Sequence, residues 1–335
     1  MRKRPEDYVT FPDNFALLSR EGVAGAVFEA SSLPSRLDQF GVRYVVPTYH
    51  PNFLLRPPPN GNFGGQFAAQ PMAQHIQKAA RLLSTPAQWK DPTPRTAHYT
   101  DLAMIAGWLA EPGRYAVDVE TNSYDGPIPF PDPDAEEGIS GVTEIACVGF
   151  ARQDRDEVLV VDTRGLRDKA HPFCELLAAF FARDDVETIF QNGHYDRACF
   201  WFVYGVWVDN QGSDTLVAHT ILYPDEEHGL GFQSHEFLDA PHWKGESHAI
   251  RRGTKDSNSG YRDFESLALY NARDTKNTIL LDTIYRGLPG SRGQLDVERL
   301  RLVHDIDMTS WELALRMTIA GMPLSRTALA EVRKV

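Results

Sequence analysis

The stretch RYAVDVET, residues 114–121, constrains the fold of this chain more than any other. In an extended strand the side chains alternate, so Asp118 and Glu120 share one face while Val117 and Val119 point the other way, into a core. Two carboxylates buried side by side are costly unless something positive sits between them. A lone D-x-E is more often two solvent-facing acids on an ordinary strand. If the pair is buried, a divalent cation is the usual counter-charge, and an all-oxygen site favours magnesium or manganese.

The strand opens a readable series. RYAVDVE, TEIACVGFAR and DEVLVVDT are three successive β-like runs. HPFCELLAAFFARD has helical periodicity, and ETIFQN is a fourth strand that leads into a helix over GHYDRACFWFVYG. SDTLVAHTILYP reads as a helix capped by Ser213 or Asp214, and DFESLALYNARDTKNTILLDTIYRG as a long helix ended by Gly287. This order predicts an α/β fold, a mixed sheet with helices packed on it. Proline-rich residues 83–100 read as a linker, glycine-rich residues 285–296 as a second break, and the Pro/Asp/Glu stretch 126–138 as a solvated hairpin excursion.

Two further motifs carry carboxylates. NGHYD ends a strand at Asn192 and sets Asp196 in the first turn of the next helix, where an aspartate often only complements the dipole. YNARD places Tyr270 and Asp274 one helical turn apart, with Asp274 between Leu269 and Ile279 on an otherwise apolar face. Each motif alone is weak.

Together and in this order, DVE, NGHYD and YNARD resemble the signatures of DEDD exonucleases with tyrosine in the third motif, as in the proofreading domains of family A DNA polymerases. QNGHYDR, DTLVAHTILYPDEEHGLGF and APHWKGE extend the likeness to viral family A polymerases, over roughly residues 97–288. The resemblance implies a ribonuclease H-like mixed sheet flanked by helices, and a metal-dependent 3′–5′ exonuclease. Asp118, Glu120 and Asp274 would hold one metal ion, with Asp118 bridging to a second that Asp196 supports. Two such ions (Mg2+ or Mn2+), ~3.5–4 Å apart, can activate a water and stabilise the leaving 3′ oxygen. Tyr270 would orient that water. Thr121 (through its backbone), Gln191 and Asn192 would touch the terminal nucleotide; turn or strand-end hydrogen bonding explains them about as well.

The flanks bear on context. In GVRYVVPTYHPNFLLR, an apolar strand precedes Thr48, His50, Pro51 and Arg56, and the helical AQHIQKAARLL follows. Together they resemble the end of a bacterial-type uracil-DNA glycosylase, with His50 facing the leaving group. The water-activating first motif is absent, so residues 1–85 are expected to be a truncated, smaller α/β remnant without glycosylase activity, and residues 86–96 a linker. Residues 289–335, with apolar Ile306, Leu313, Met317 and Ile319, Gly321 as a helix stop and Ser325 as a new N-cap, resemble the entry to a polymerase thumb; a helix that merely closes the domain fits the periodicity equally. No polymerase active-site motif follows, so the chain reads as the front piece of a larger polymerase, a fragment or a split gene.

Composition limits the partners. Forty-six acidic against 34 basic residues give a formal charge of −12, which opposes non-specific duplex binding. Bound cations reverse the local field, so an enzyme gripping a few nucleotides is compatible with it. The basic stretch 248–262 is read as a solvated loop. Three scattered cysteines and no membrane-length apolar run suggest a soluble protein of a reducing, cytoplasmic compartment, with viral replication in a host cell as the implied setting. The expected partners are single-stranded DNA or a frayed primer 3′ end and a polymerase module in cis or in trans, with no membrane. Two alternatives stay open: an RNase D-like exoribonuclease with the same acids, and a non-catalytic DNA-holding module of a split polymerase.

Overall fold

A computed structural model describes residues 24–32, 41–48, 69–121, 130–131, 139–140, 144–243, 263–287 and 298–321. Its centre is a six-stranded mixed sheet. In chain order the strands are β1 (Thr93–His98), β2 (Gly113–Thr121), β3 (Ile145–Ala151), β4 (Glu157–Asp162), β5 (Val186–Phe190) and β6 (Gln211–Asp214). The spatial order is β6-β5-β2-β3-β4-β1. The sheet is antiparallel where β2, β3 and β4 run as a meander and parallel at β6–β5, β5–β2 and β4–β1. The expected α/β class, a mixed sheet flanked by helices, is what forms.

The helices are α1 (Ala69–Leu82), α2 (Leu102–Leu109), α3 (Pro172–Phe181), α4 (His194–Cys199), α5 (Thr215–Leu222), α6 (Leu230–Leu238), α7 (Phe264–Tyr285) and α8 (Glu298–Ala320). α2 and α3 cover one face. Ile105, Trp108, Phe173, Leu177, Phe180 and Phe181 meet Tyr115, Val117 and Val119 of β2 there in one buried cluster. Side chains of this size each contribute roughly 1.5–3 kcal/mol by leaving water, which commits β2 to this orientation. The other face, with Ala116 of β2 and Ala146 and Cys147 of β3, takes Leu267, Ala268, Ala272 and Ile279 of α7. Asp118 and Glu120 therefore look towards α7.

One segment departs from the sequence reading. The stretch read as a linker contains β1, six residues paired in parallel with β4. Pro94 conceals the strand from sequence inspection, but β1 lies at the sheet edge, where a missing N–H is tolerated. Its burial is slight, with Ala97 the one buried residue, so no apolar alternation marks it.

α7 departs in another way. It is buried almost all round, and Asn271, Asp274, Thr275, Lys276, Asn277, Thr278 and Asp282 are among its buried residues. Several of these polar groups find partners on other segments. Lys276 Nζ donates to the carbonyls of Arg152, Gln153 and Arg155, Trp89 Nε1–H donates to Asn277 Oδ1, and Asp282 pairs with Arg114 and Arg286.

α8 docks on α4 through His194, whose ring stacks on Trp311 at 3.8 Å and whose Nε2 donates to the Trp311 carbonyl at 2.6 Å. Of the apolar positions singled out in the sequence, Ile319 packs against the cluster of Ala198, Phe202 and Leu315, whereas Ile306, Leu313 and Met317 are exposed. Gly321, at φ 67°, follows the helix end as expected. Of the N-terminal 85 residues, a two-residue ladder between Phe28–Glu29 and Tyr44–Val45 and helix α1 are described. His50, Pro51 and Arg56 lie outside the described residues, as do Ser325 and the basic stretch 248–262; Thr48 Oγ1 bonds His75 Nδ1 at 2.9 Å. Within the acidic hairpin, Phe130–Pro131 pairs with Ile139–Ser140.

α7 approaches β3 closely at Gly149, the residue paired with Asp118. A Cβ there would collide with Asn271 Oδ1 and Thr275 Oγ1. Gly149→Ala is expected to push α7 off the sheet and lower stability by about 1–3 kcal/mol, the usual cost of overpacking. Urea unfolding checks this, and a neutral substitution would mean that the approach is not tight.

Candidate metal centre

β2 delivers Asp118 and Glu120 to the α7 face, and α7 returns Asp274 to the same point. One ligand oxygen from each of these three residues lies within 4.8 Å of the other two. Glu120 and Asp274 are buried, at 5% and 4% exposure, and Asp118 is partly so. The backbone register shifts between Glu120 and Thr121, just beyond the acids. The field they create reaches the buried Cys147 beside them: burial first, then Glu120 and Asp118, push its thiol well above the ordinary range.

Neighbouring side chains hold the carboxylates. Asn271 Nδ2 donates to Asp118 Oδ2 at 2.7 Å, and Trp243 Nε1–H donates to Asp274 Oδ1 at 2.6 Å. Neither residue was singled out in the sequence. Asn271 follows Tyr270 within the third motif, and Trp243 lies in the APHWKGE segment. Tyr270, 7% exposed, sits one turn before Asp274 and packs in one cluster with Trp243, Leu281 and Tyr285.

Asp196 is placed differently. It lies in the first turn of α4, 5% exposed, and its Oδ1 accepts the Val119 N–H at 2.9 Å, between the two acids of β2. It is not one of the three residues whose ligand atoms cluster. Burial above all, then Asp214 and Glu120, push its carboxyl up to about 8 in the metal-free protein, against the Val119 hydrogen bond that opposes the shift.

The corner before α4 is built by a residue the sequence marked only as a helix cap. Asp214 caps α5 by accepting from Leu216 N, and also accepts from Asn192 N at 2.9 Å and Gly193 N at 2.7 Å. Asn192 is thereby held at φ 62°, a left-handed conformation that asparagine tolerates better than most residues. Gln191 is engaged in the scaffold: Nε2 donates to the His228 carbonyl, and Oε1 accepts from Thr215 and Gln233. Thr121 Oγ1 is hydrogen-bonded to the Tyr195 hydroxyl at 2.7 Å, tying β2 to the residue before Asp196.

The donor set fits a hard divalent cation. Three carboxylates converge, and neither cysteine nor histidine belongs to the cluster among the described residues.

No family model matches the sequence, and no curated protein does. Solved structures that it resembles include one titled the apo form of the nuclease, at 16% identity and TM-score 0.48, covering 70% of this chain and 95% of that one. Brucella melitensis NrnC with bound Mg2+ matches at 16% and 0.45, over 70% and 99% of the two chains. Trypanosoma brucei RNase D in complex with GMP matches at 16% and 0.42, over 59% and 58%.

The raised Asp196 carboxyl sets a pH dependence. A carboxyl raised from the ordinary 3.8 to about 8 favours folding fully below the lower value, and that contribution is lost as pH rises through the upper one. In EDTA, the melting temperature of Asp196→Asn should gain on wild type as pH climbs from 4 to 8. With Mg2+ at pH 8 the gain should shrink or reverse. A difference independent of pH would show that Asp196 ionises normally.

Proposed function

We propose that this chain is a metal-dependent 3′–5′ exonuclease that hydrolyses the terminal phosphodiester of a single-stranded nucleic acid. The observation that carries the reading is the convergence of Asp118, Glu120 and Asp274, from a strand and a distant helix, on one buried point. Three carboxylates brought this close form a costly arrangement that a divalent cation relieves. Asp118, Glu120 and Asp274 would hold the cations, with Asp196 supporting from α4. A bound pair of Mg2+ or Mn2+ ions supplies water activation and stabilisation of the leaving 3′ oxygen.

The chain's own groups do the rest. Tyr270, one turn from Asp274, orients the attacking water rather than removing its proton. Thr121 ends β2 one residue after Glu120 and Asn192 follows β5 by two residues, and both are assigned to the terminal nucleotide. The hydrogen bonds of Gln191 favour a scaffold role for that residue. The nuclease domain would span residues 97–288, extended at its start by β1.

Proofreading beside a polymerase module, with α8 leading into its thumb, rests on the sequence resemblance. The same acids serve an RNase D-like enzyme, so the nature of the sugar belongs to the test. No helix among the described residues is long and apolar enough to cross a membrane.

The test uses 5′-labelled single-stranded DNA and RNA of one sequence, with Mg2+ or Mn2+. Wild type should give a ladder of products shortened from the 3′ end of at least one of them, and EDTA should abolish it. Asp274→Ala should lose more than the ~10–100-fold typical of removing an outer partner of a metal ligand. Absence of a ladder on both substrates, or a ladder that survives in Asp274→Ala, would overturn the reading. A ladder on RNA alone would replace proofreading with RNA turnover.

A further inference from the structure

The segment between α6 and α7 brings a large neutral side chain onto the acid cluster. Trp243 is 1% exposed, and its one polar atom, Nε1, donates to Asp274 Oδ1 at 2.6 Å. The indole is packed from several sides, against Tyr270, Leu281 and Tyr285, with the His235 ring edge-on at 6.0 Å. The residues leading to it are pinned in turn by the N-terminal segment. Lys78 of α1 donates to the carbonyls of Gly25 and His235, Arg81 pairs with Asp239, and Val27 N donates to the Ala240 carbonyl. The donor that meets Asp274 is therefore anchored by the packing around its ring and by the pinned residues that lead to it.

We propose that Trp243 is a positioning residue of the metal centre, an inference that rests on the assignment of Asp118, Glu120 and Asp274 as cation ligands. An indole has one N–H and no acceptor, so it neither ligates a cation nor takes a proton. It fixes the rotation of the Asp274 carboxylate. A lysine or arginine in the same place would orient the carboxylate too, but would cancel the charge that attracts the cation. A neutral, rigid donor orients without neutralising, which is what an outer partner of a metal-ligating carboxylate needs to do. Core filling alone would be served equally by phenylalanine and leaves the short hydrogen bond unused.

Trp243→Phe keeps the apolar ring and removes the N–H. Mn2+ binding to the full chain, followed by electron paramagnetic resonance of the free ion, separates the possibilities, with Asp274→Ala as reference and melting in EDTA as the check on folding. The expected result is Mn2+ affinity reduced about 10–100-fold in Trp243→Phe, with kcat lowered more than KM is raised. Wild-type Mn2+ affinity in a folded Trp243→Phe would overturn the proposal and leave the nuclease reading standing.

If Mn2+ binding weakens in both variants while no variant, nor wild type, cleaves nucleic acid, the nuclease reading falls and the positioning role holds. If Asp274→Ala binds Mn2+ as wild type does, both fall. Should Trp243→Phe not fold, 15N-tryptophan-labelled wild type decides. A downfield Trp243 indole proton that moves on Mg2+ addition, and returns to the ordinary range in Asp274→Asn, supports the role. An indole proton indifferent to both overturns it.

Discussion

Repulsion among three carboxylates is the constraint on which the rest of this structure depends. With ligand oxygens within 4.8 Å, each charged pair opposes the fold by roughly 3–4 kcal/mol at an effective dielectric of about 20. The cost falls on the interface between β2 and α7, and the surrounding packing holds the groups in place. Val117, Val119 and Tyr115 commit β2 to its orientation from the opposite face, so the acids cannot rotate away without exposing a core. An arrangement that opposes its own folding and is enforced this firmly is the signature of a cation site.

The same logic explains the unusual polarity of α7. A helix that must bring Asp274 to the sheet is buried on nearly every side, and its polar residues meet partners from several distant segments. Lys276 reaches the carbonyls of the β3–β4 turn, Asn277 receives Trp89, and Asp282 balances Arg114 and Arg286. Gly149 opens the space in which Asn271 approaches Asp118. Asp214 acts comparably at the other end of the site, where one carboxylate closes the β5–α4 corner and starts α5. Site geometry and fold stability are thus carried by the same hydrogen bonds.

Much of this was legible in the chain itself. The alternation of RYAVDVET foretold which face of β2 carries the acids, and the i, i+4 spacing of YNARD foretold that Tyr270 and Asp274 share a helical turn. Such readings work because they depend on local periods of two and 3.6 residues. What was missed depends on tertiary contact. β1 hides in a proline-rich stretch with one buried residue, and it exists because β4 offers a parallel edge. Trp243 and Asn271 were not singled out, and only folding reveals that each donates to a carboxylate. Gln191 stood beside the second motif, where substrate contact and strand-end hydrogen bonding read equally well, and its bonds to the His228 carbonyl and Gln233 come from segments that no local period reveals. The apolar residues of α8 misled in the opposite direction, since Trp311 and Leu315 face inward and Ile306, Leu313 and Met317 do not.

The central claim, that the carboxylates of β2 and α7 form one cation site, is most directly tested by crystals grown with Mn2+ and a nucleoside monophosphate and recorded at a wavelength where manganese scatters anomalously. The account predicts anomalous density bounded by Asp118, Glu120 and Asp274, with a second peak on the side of Asp196. Crystals that hold Mn2+ elsewhere, with none among these three carboxylates, would contradict it.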